Sequence, residues 1–411
     1  MLKAYKYCIY PNKAQRLLLA KTFGCIRFYW NKTLEIKLKA LENKEKIPQV
    51  LPAALKKEHD FLKEIDSLAL ANAQLQLERA VSDWFRKKAG KPKFKRKRDK
   101  QSYTTSNVNG NIAVDFEKGH VKLPKVGYVK TELHRTFTGT IKSATIRRTK
   151  SGIYFVSVLV EGEPKRVGKS ERICAIDLGV KDFATICYSD GNIEKIENPK
   201  YLSKAEKRLA REQRRLSKKQ KGSKNSERQR HRVAKCHEKI ANKREDFLHK
   251  LSKRIVDDNQ VIILEDLNVK GLLKNQNLSK SISDVSWSTF VRYLQYKALW
   301  YDKQVMFADR FYASSKLCNV CGYKNDFLTL KDRHWACPVC GTEHDRDVNA
   351  SVNLLNYGLV HLKDSRAGTA RTYACGDSSD SGMAAMSVYE SSIDEAGSSM
   401  LYNAWHTYSM E

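Results

Sequence analysis

Cys318-Asn-Val-Cys321 and Cys337-Pro-Val-Cys340, with fifteen residues between the pairs, have the two-knuckle spacing of a four-thiolate zinc site. Each pair offers two sulfurs to one side of a tetrahedron. Gly322 and Gly341, each following its pair, suit the tight turns that bring backbone amides toward thiolate. Unrelated thiols or two disulfides would not need so regular a spacing. Four protein ligands close the shell, so the zinc is expected to hold a ribbon and not to catalyse.

Three carboxylates form a second set. Asp177 closes the apolar run Ile173-Cys-Ala-Ile176, Glu265 closes Val261-Ile-Ile-Leu264, and Asp347 precedes a helix in His344-Asp-Arg-Asp347-Val-Asn-Ala350. A single acid after a strand is usually a helix cap or a turn residue. Three presented at a sheet edge can converge on divalent cations, and magnesium selects hard oxygen ligands of this kind. Two such ions about 3.5–4 Å apart suit phosphodiester hydrolysis.

The surrounding chain must position these groups. It has 411 residues, 41% hydrophobic, enough for several cored domains, and 76 basic against 46 acidic side chains give a net charge of +30. A polyanionic partner is expected. Seven acids face only Arg366 and Arg371 from residue 364 on, so that stretch carries −5 and the preceding 363 residues +35. Residues 364–411, rich in Ser, Gly and Ala, are expected to be a disordered acidic tail. No apolar run is long enough to span a membrane, the N-terminus lacks a secretory signal, and ten cysteines are too few for a disulfide scaffold. A reducing prokaryotic cytoplasm or nucleoid is the expected location.

Lys3 to Tyr10 reads as a strand, and Asn12 can cap a helix whose apolar positions include Leu17, Leu18, Leu19 and Phe23. Helical spacing resumes at Leu68, Ala71, Leu75, Leu77 and Trp84, so residues 12–98 are assigned to a helical domain ending in an extended, solvated basic arm. In that arm Lys87, Lys88, Lys91, Lys93, Lys95, Arg96 and Arg98 surround Phe94, as nucleic-acid backbone contact would require, although a charged linker has the same composition. From Ser102 to Val160 short alternating segments are broken by turn signals, which predicts a small antiparallel β-barrel of residues 1–11 and 99–165 with the helical domain inserted.

Beyond residue 165 the predicted order is βββ-αα-β-α-β, then the cysteine module and a last helix from about Asn349 to Tyr357 with Gly358 as its stop. The paired basic helices fill Leu202 to Asp257, and Arg208, Arg211, Arg214 and Arg215 on them are further candidates for nucleic-acid contact, each equally readable as a solvated charge. Asp284 or Ser286 is expected to cap the helix that carries Trp287, Phe290 and Leu294.

Asp177-Leu-Gly-Val-Lys-Asp-Phe-Ala184 resembles the first active-site segment of RuvC-type nucleases of the ribonuclease-H fold, Leu264-Glu265-Asp266-Leu267 the second, and Asp345-Arg-Asp347-Val-Asn-Ala350 the third. The four-cysteine ribbon before the third segment is similar to that of the TnpB family, transposon-encoded relatives of type V CRISPR nucleases, and the resemblance covers about residues 3–363. It implies a multidomain α+β protein: a wedge-like β-barrel with an inserted helical recognition domain, then a RuvC-like nuclease domain of residues 166–310 and 345–363 interrupted by a zinc ribbon of residues 311–344.

The activity implied is an RNA-guided endonuclease that cuts double-stranded DNA beside a short flanking motif. Its guide RNA comes from the transposon end, its cofactors are structural Zn²⁺ and catalytic Mg²⁺, and a transposase of the same element is a further expected partner. Asp177, Glu265 and Asp347 match the catalytic triad. Asp345 is the rival third ligand, set aside because related segments read Asp-x-Asn-Ala. Asn349 is expected either to cap the final helix or to orient the active site. The flanking-motif reader is placed around Ser67 to Gln74 and Tyr103 to Asn109. Two other functions compete: a nucleic-acid-binding regulator of transposition without nuclease activity, and a guide-independent resolvase or transposase.

Overall fold

Alternation of apolar residues in Tyr154-Phe-Val-Ser-Val-Leu-Val-Glu161 puts Tyr154, Val156, Val158 and Val160 on one buried face, the period-2 pattern of a half-buried strand. In the computed structural model of the chain, which describes residues 1–163, 168, 170–274, 276–329 and 331–366, this segment lies within the first of two compact units. That unit comprises residues 1–163 with 220–235; the second comprises 164–219 with the residues from 236 on.

The first unit opens with β1 (Leu2–Tyr10) and α1 (Lys13–Glu42), whose N-terminus is closed by a reciprocal capping box between Asn12 and Gln15. It continues through α2 (Pro52–Glu58), a 3₁₀ turn (Asp60–Lys63) and α3 (Ser67–Phe85). Six strands follow: β2 (Gln101–Ser106), β3 (Ala113–Asp115), β4 (His120–Leu123), β5 (Gly127–Glu132), β6 (Thr140–Arg148) and β7 (Tyr154–Glu161). All the pairings are antiparallel, in the order β2-β6-β7-β1-β5-β4-β3. The helices are thus inserted between strands, as expected.

The expected barrel does not close. Among the described residues no ladder joins β2 to the three-residue β3. The β2 side instead lies against helices: Tyr103 packs edge-on to Phe23 of α1, and Thr105 donates to Asp66, the N-cap of α3. A sheet edge covered by helices needs no closure.

Helix phase also corrects two core assignments. In α1 the buried apolar positions include Leu19, Phe23, Ile26, Trp30 and Leu34, and Leu17 is 62% exposed; in α3 they are Ala69, Leu70, Ala73, Leu77 and Val81, and Leu75 is 66% exposed. The basic arm has no regular structure but is not free. Trp30 Nε1 donates to the Lys93 carbonyl, Asn31 exchanges two hydrogen bonds with the Lys95 backbone, and Lys95 Nζ lies 3.7 Å from the Trp30 ring centroid. Carbonyls left unpaired by the extended backbone find side-chain donors on α1.

The second unit is built on β8 (Ile173–Leu178), β9 (Asp182–Tyr188), β10 (Ile193–Glu197), α4 (Tyr201–Ser217), residues 236–258 of α5 (Lys224–Asp258) and β11 (Val261–Glu265). α6 (Val269–Leu272), α7 (Gln276–Val285), α8 (Trp287–Trp300), β12 (Gln304–Ala308), β13 (His334–Ala336), β14 (Glu343–Asp345) and α9 (Arg346–Arg366) complete it. The five-stranded order is β10-β9-β8-β11-β12: β8, β9 and β10 pair antiparallel, whereas β11 runs parallel to both β8 and β12. Alternation splits the sheet into two faces. Ile176, Ile262 and Leu264 pack with Phe290 and Leu294 of α8; Ala175, Val261 and Ile263 pack with Leu354 and Leu355 of α9.

Gly358 does not stop the last helix, which runs on to Arg366. A Cβ at Gly358 would fall 2.1 Å from Ile263 Cδ1; the residue is small because the helix presses on β11 there. The tail assignment from residue 364 is therefore wrong for its first three residues, and 367–411 lie outside the described residues. Neither expected side-chain cap of α8 forms. Ser286 makes no capping bond, and Asp284 accepts instead from the Leu202 amide at the start of α4 and from Arg244 at 2.5 Å.

Candidate functional site

Period-2 geometry decides where the first two acids point. Asp177 follows Ile173 and Ala175 on the α9 face of β8, and Glu265 follows Val261 and Ile263 on the same face of β11. Leu264 pairs with Ile176 in the parallel ladder, so Glu265 and Asp177 stand one step further along, at the carboxyl ends of neighbouring strands. Asp347 enters from the first turn of α9, the helix covering that face. Ligand sites in open α/β sheets form at such strand ends.

Asp177 is raised by burial and by its two acidic neighbours. Burial pushes Asp177 well above the usual carboxylate range, the charges of Glu265 and Asp347 push it further, and Arg346 partly offsets them. Glu265 is also raised, first by burial, while the Ser314 hydroxyl and Arg346 work against the shift. Ser314 Oγ donates to Glu265 Oε1, and Arg333 Nη1 lies 3.4 Å from Asp347 Oδ2. Sequence reasoning missed Ser314 and Arg333, which belong to no spaced motif, and Arg346, which lies inside the third acidic segment but was given no role.

Asp345 is occupied otherwise. Its Oδ1 accepts the amides of Asp347 and Val348, capping α9, and its Oδ2 lies 2.7 Å from Lys195 Nζ. Against the cost of desolvation, Lys195 and the Val348 amide hold it below the usual carboxylate value. Asn349 does not cap the helix with its side chain. Fully buried, it accepts from the Asn319 amide and donates to the Leu317 carbonyl, pinning the first cysteine knuckle to α9.

Cys318, Cys321, Cys337 and Cys340 converge with all four Sγ atoms within 4.8 Å of one another, and among the described residues no other group of three or more such ligands is as tight. The three carboxylates are spread more widely than that. Cys318 and Cys340 sulfurs lie 3.6 Å apart, Cys321 and Cys337 sulfurs 3.5 Å. Gly322 and Gly341 turn through φ of 75° and 71°, and their amides donate to the Cys318 and Cys337 carbonyls at 2.9 Å. Thr342 holds the Cys340 thiol down to about 6, whereas Cys321, despite the Tyr323 amide, is pushed up to about 12 by burial and the neighbouring sulfurs. Four thiols this close need a cation to ionise together, and the donor set fits tetrahedral zinc with no open position. His344, which the spacing did not flag, places Nε2 3.1 Å from Cys318 Sγ and packs on Trp335.

The basic candidates lie in separate units. Lys87, Lys88, Lys91, Lys93, Arg96 and Arg98 are exposed in the first, as is the Phe94 ring, whereas Lys95 is partly buried on Trp30. Arg208, Arg211, Arg214 and Arg215 are exposed on α4 in the second, and Glu212 pairs with Arg215 at 3.2 Å and Arg211 at 3.9 Å. The two segments assigned to motif reading do meet, since Asn72 Nδ2 donates to Ser106 Oγ at 3.1 Å.

Comparison with known proteins agrees with this architecture. Residues 155–276 match a family described as "Probable transposase", residues 287–354 a "Cas12f1-like, TNB domain", and residues 1–46 a "Helix-turn-helix domain", although the latter form one strand and a single 30-residue helix here. A Streptomyces pristinaespiralis protein named "Putative RNA-guided DNA endonuclease" is 36% identical over 87% of this chain and 90% of its own length. An Escherichia coli K12 protein named "Putative RNA-guided DNA endonuclease InsQ" is 30% identical over 93% and 96%. A "TnpB-like protein" of Acanthamoeba polyphaga mimivirus is 26% identical over 60% of this chain and 49% of its length. The fold is similar to the protein in "Cryo-EM structure of the Cas12f1-sgRNA-target DNA complex", with a TM-score of 0.55 at 12% identity over 86% of this chain and 98% of that one. With its multidomain α+β fold, its thiolate ribbon and relatives matched over nearly their whole length, the chain belongs to the TnpB family.

Proposed function

We propose that this protein is an RNA-guided endonuclease that cuts double-stranded DNA beside a short flanking motif, with Asp177, Glu265 and Asp347 as its Mg²⁺ ligands and a RuvC-like arrangement of β8–β12. The observation that carries the reading is the placement of three acids, Asp177 and Glu265 at the carboxyl ends of neighbouring parallel strands and Asp347 in the first turn of α9, close enough for the latter two to raise Asp177. Curated relatives matched over 90% or more of their length bear the same activity in their names.

The acids suit magnesium by donor chemistry. All are carboxylate oxygens; burial raises the proton affinity of Asp177 and Glu265, and the charges of Glu265 and Asp347 raise that of Asp177 further. Divalent ions bound there would neutralise charge on an attacking water and a departing oxygen. The chain itself holds the directions of Asp177 and Glu265 through β-sheet register, brings Asp347 in on α9, and offsets part of the charge with Arg346. Residues 12–98 act as a recognition domain and residues 1–11 with 99–165 as a wedge. Residues 166–310 with 345–363 form the nuclease domain and 311–344 the zinc ribbon. The exposed basic side chains neutralise phosphates while base pairing to the guide selects sequence. No described helix is long and apolar enough to cross a membrane; we place the protein in a prokaryotic cytoplasm, with a transposase of the same element as a further partner.

Plasmid cleavage in magnesium, with protein purified with and without co-expressed RNA, tests guidance: equal cutting without RNA refutes it. Asp177→Ala tests catalysis. A regulator acting only by binding nucleic acid would keep its function in that variant.

A further inference from the structure

Among the three acids Glu265 has the longest side chain, with three torsions against two for each aspartate, so its carboxylate has the most freedom to lose before it can hold an ion. The structure fixes it from one side. Ser314 is 3% exposed, and its hydroxyl donates to Glu265 Oε1. Ser314 is itself held at both ends of its backbone: its amide donates to the Tyr312 carbonyl at 2.9 Å, and its carbonyl accepts from Asn353 Nδ2 at 2.8 Å. The same Asn353 amide group reaches the Leu317 carbonyl at 2.7 Å, which Asn349 Nδ2 also reaches at 2.6 Å. Two buried asparagines one turn apart on α9 therefore clamp the segment that runs from Ser314 to the zinc ligand Cys318.

We propose that Ser314 is a positioning residue, carried on an arm held by Asn349 and Asn353, that orients the Glu265 carboxylate for its divalent ion. This rests on the reading that Glu265 is a metal ligand. The hydroxyl occupies Oε1, which would leave Oε2 for the ion, and the clamp restrains the backbone that carries the hydroxyl. Hydrogen-bond partners of metal-binding carboxylates commonly contribute 10–100-fold in affinity.

The test is titration of the purified full-length protein with Mn²⁺, followed by electron paramagnetic resonance, alongside zinc content and thermal melting. Ser314→Ala should weaken Mn²⁺ binding about tenfold with zinc content and melting unchanged, and Ser314→Thr, which keeps the hydroxyl, should restore binding to within about twofold. Asn353→Ala should weaken binding in the same direction with Ser314 still in place. Wild-type Mn²⁺ binding by Ser314→Ala overturns the proposal, as does a Ser314→Thr variant as weak as Ser314→Ala. Should Ser314→Ala fail to fold, Asn353→Ala decides, and unchanged binding there overturns the arm. Glu265→Ala separates the two ideas. If it loses Mn²⁺ while Ser314→Ala keeps it, only the positioning role fails; if it binds as wild type, the metal-site reading fails and the proposal with it.

Discussion

Lys195 reaches across to Asp345, 150 residues away in the chain, and lies 2.7 Å from its Oδ2 while the other carboxylate oxygen caps α9. Asp345 and Asp347 are two residues apart, yet one is committed to a cation and a helix end and the other interacts with Asp177. Asp347→Ala should reduce DNA cleavage by at least about a hundredfold, the upper range seen even for partners of metal ligands. Asp345→Ala should cost about 1 kcal/mol of stability through removal of the cap and leave most cleavage intact. Cleavage rates and melting temperatures of the two variants check this, and the reverse ranking would make Asp345 the ligand.

The raised proton affinity of Asp177 and Glu265 sets a pH dependence for the metal-free protein. A carboxylate whose folded pKa exceeds its unfolded value of about 4 contributes stability at low pH that is lost as pH rises through the folded value. Divalent cations should restore it. The melting shift produced by magnesium is therefore expected to grow from acid to neutral pH and to shrink in Asp177→Asn. A shift independent of pH would show that these acids do not govern binding.

Replacing Gly358 by Ala tests the packing of α9 on β11. Alanine favours the helix by about 1 kcal/mol, but its methyl would meet Ile263 at 2.1 Å, and overpacking typically costs about 1–3 kcal/mol. Net destabilisation is expected by thermal melting, with partial recovery in the Gly358→Ala, Ile263→Val double variant. No recovery would place the strain elsewhere.

Cys337→Ser should release zinc and loosen the segment that Asn349 and Asn353 tie to α9. DNA cutting should then fall more than RNA retention, measured by cleavage assay and by RNA co-purification. Equal losses would make the ribbon a support of the whole fold.

In the basic arm the exposed and engaged lysines should separate. Neutralising Lys87, Lys88, Lys91, Arg96 and Arg98 together should weaken RNA binding and flatten its salt dependence, the log–log slope falling by about 0.7 for every phosphate the arm no longer neutralises. Lys95→Ala should chiefly lower the melting temperature, because Lys95 sits on Trp30. Binding isotherms at several salt concentrations distinguish the two.

The zinc ribbon and the strand-end acids were legible because their signals are local. Knuckle spacing fixes which sulfurs can share an ion, and period-2 alternation places Asp177 and Glu265 on one face of their strands without reference to anything distant. The partners of those groups were not legible. Ser314 and Arg346 follow no periodicity, and their roles arise only when β8, β11 and α9 meet; His344 acquires its role only when the cysteine ribbon folds on Cys318 and Trp335. Gly358 and Asp284 were misread for the same reason: a glycine after an apolar run and an acid before one are also terminator and cap signals. Sequence by itself determined the chemistry available, the succession along the chain of strands β8–β12 though not the helices α6 and α7 between β11 and α8, and the charge that calls for a polyanion. Tertiary structure alone decided whether the β-sheet closed, which of two nearby aspartates caps α9 and pairs with Lys195, and what holds Glu265, because each depends on interactions between residues tens to hundreds of positions apart.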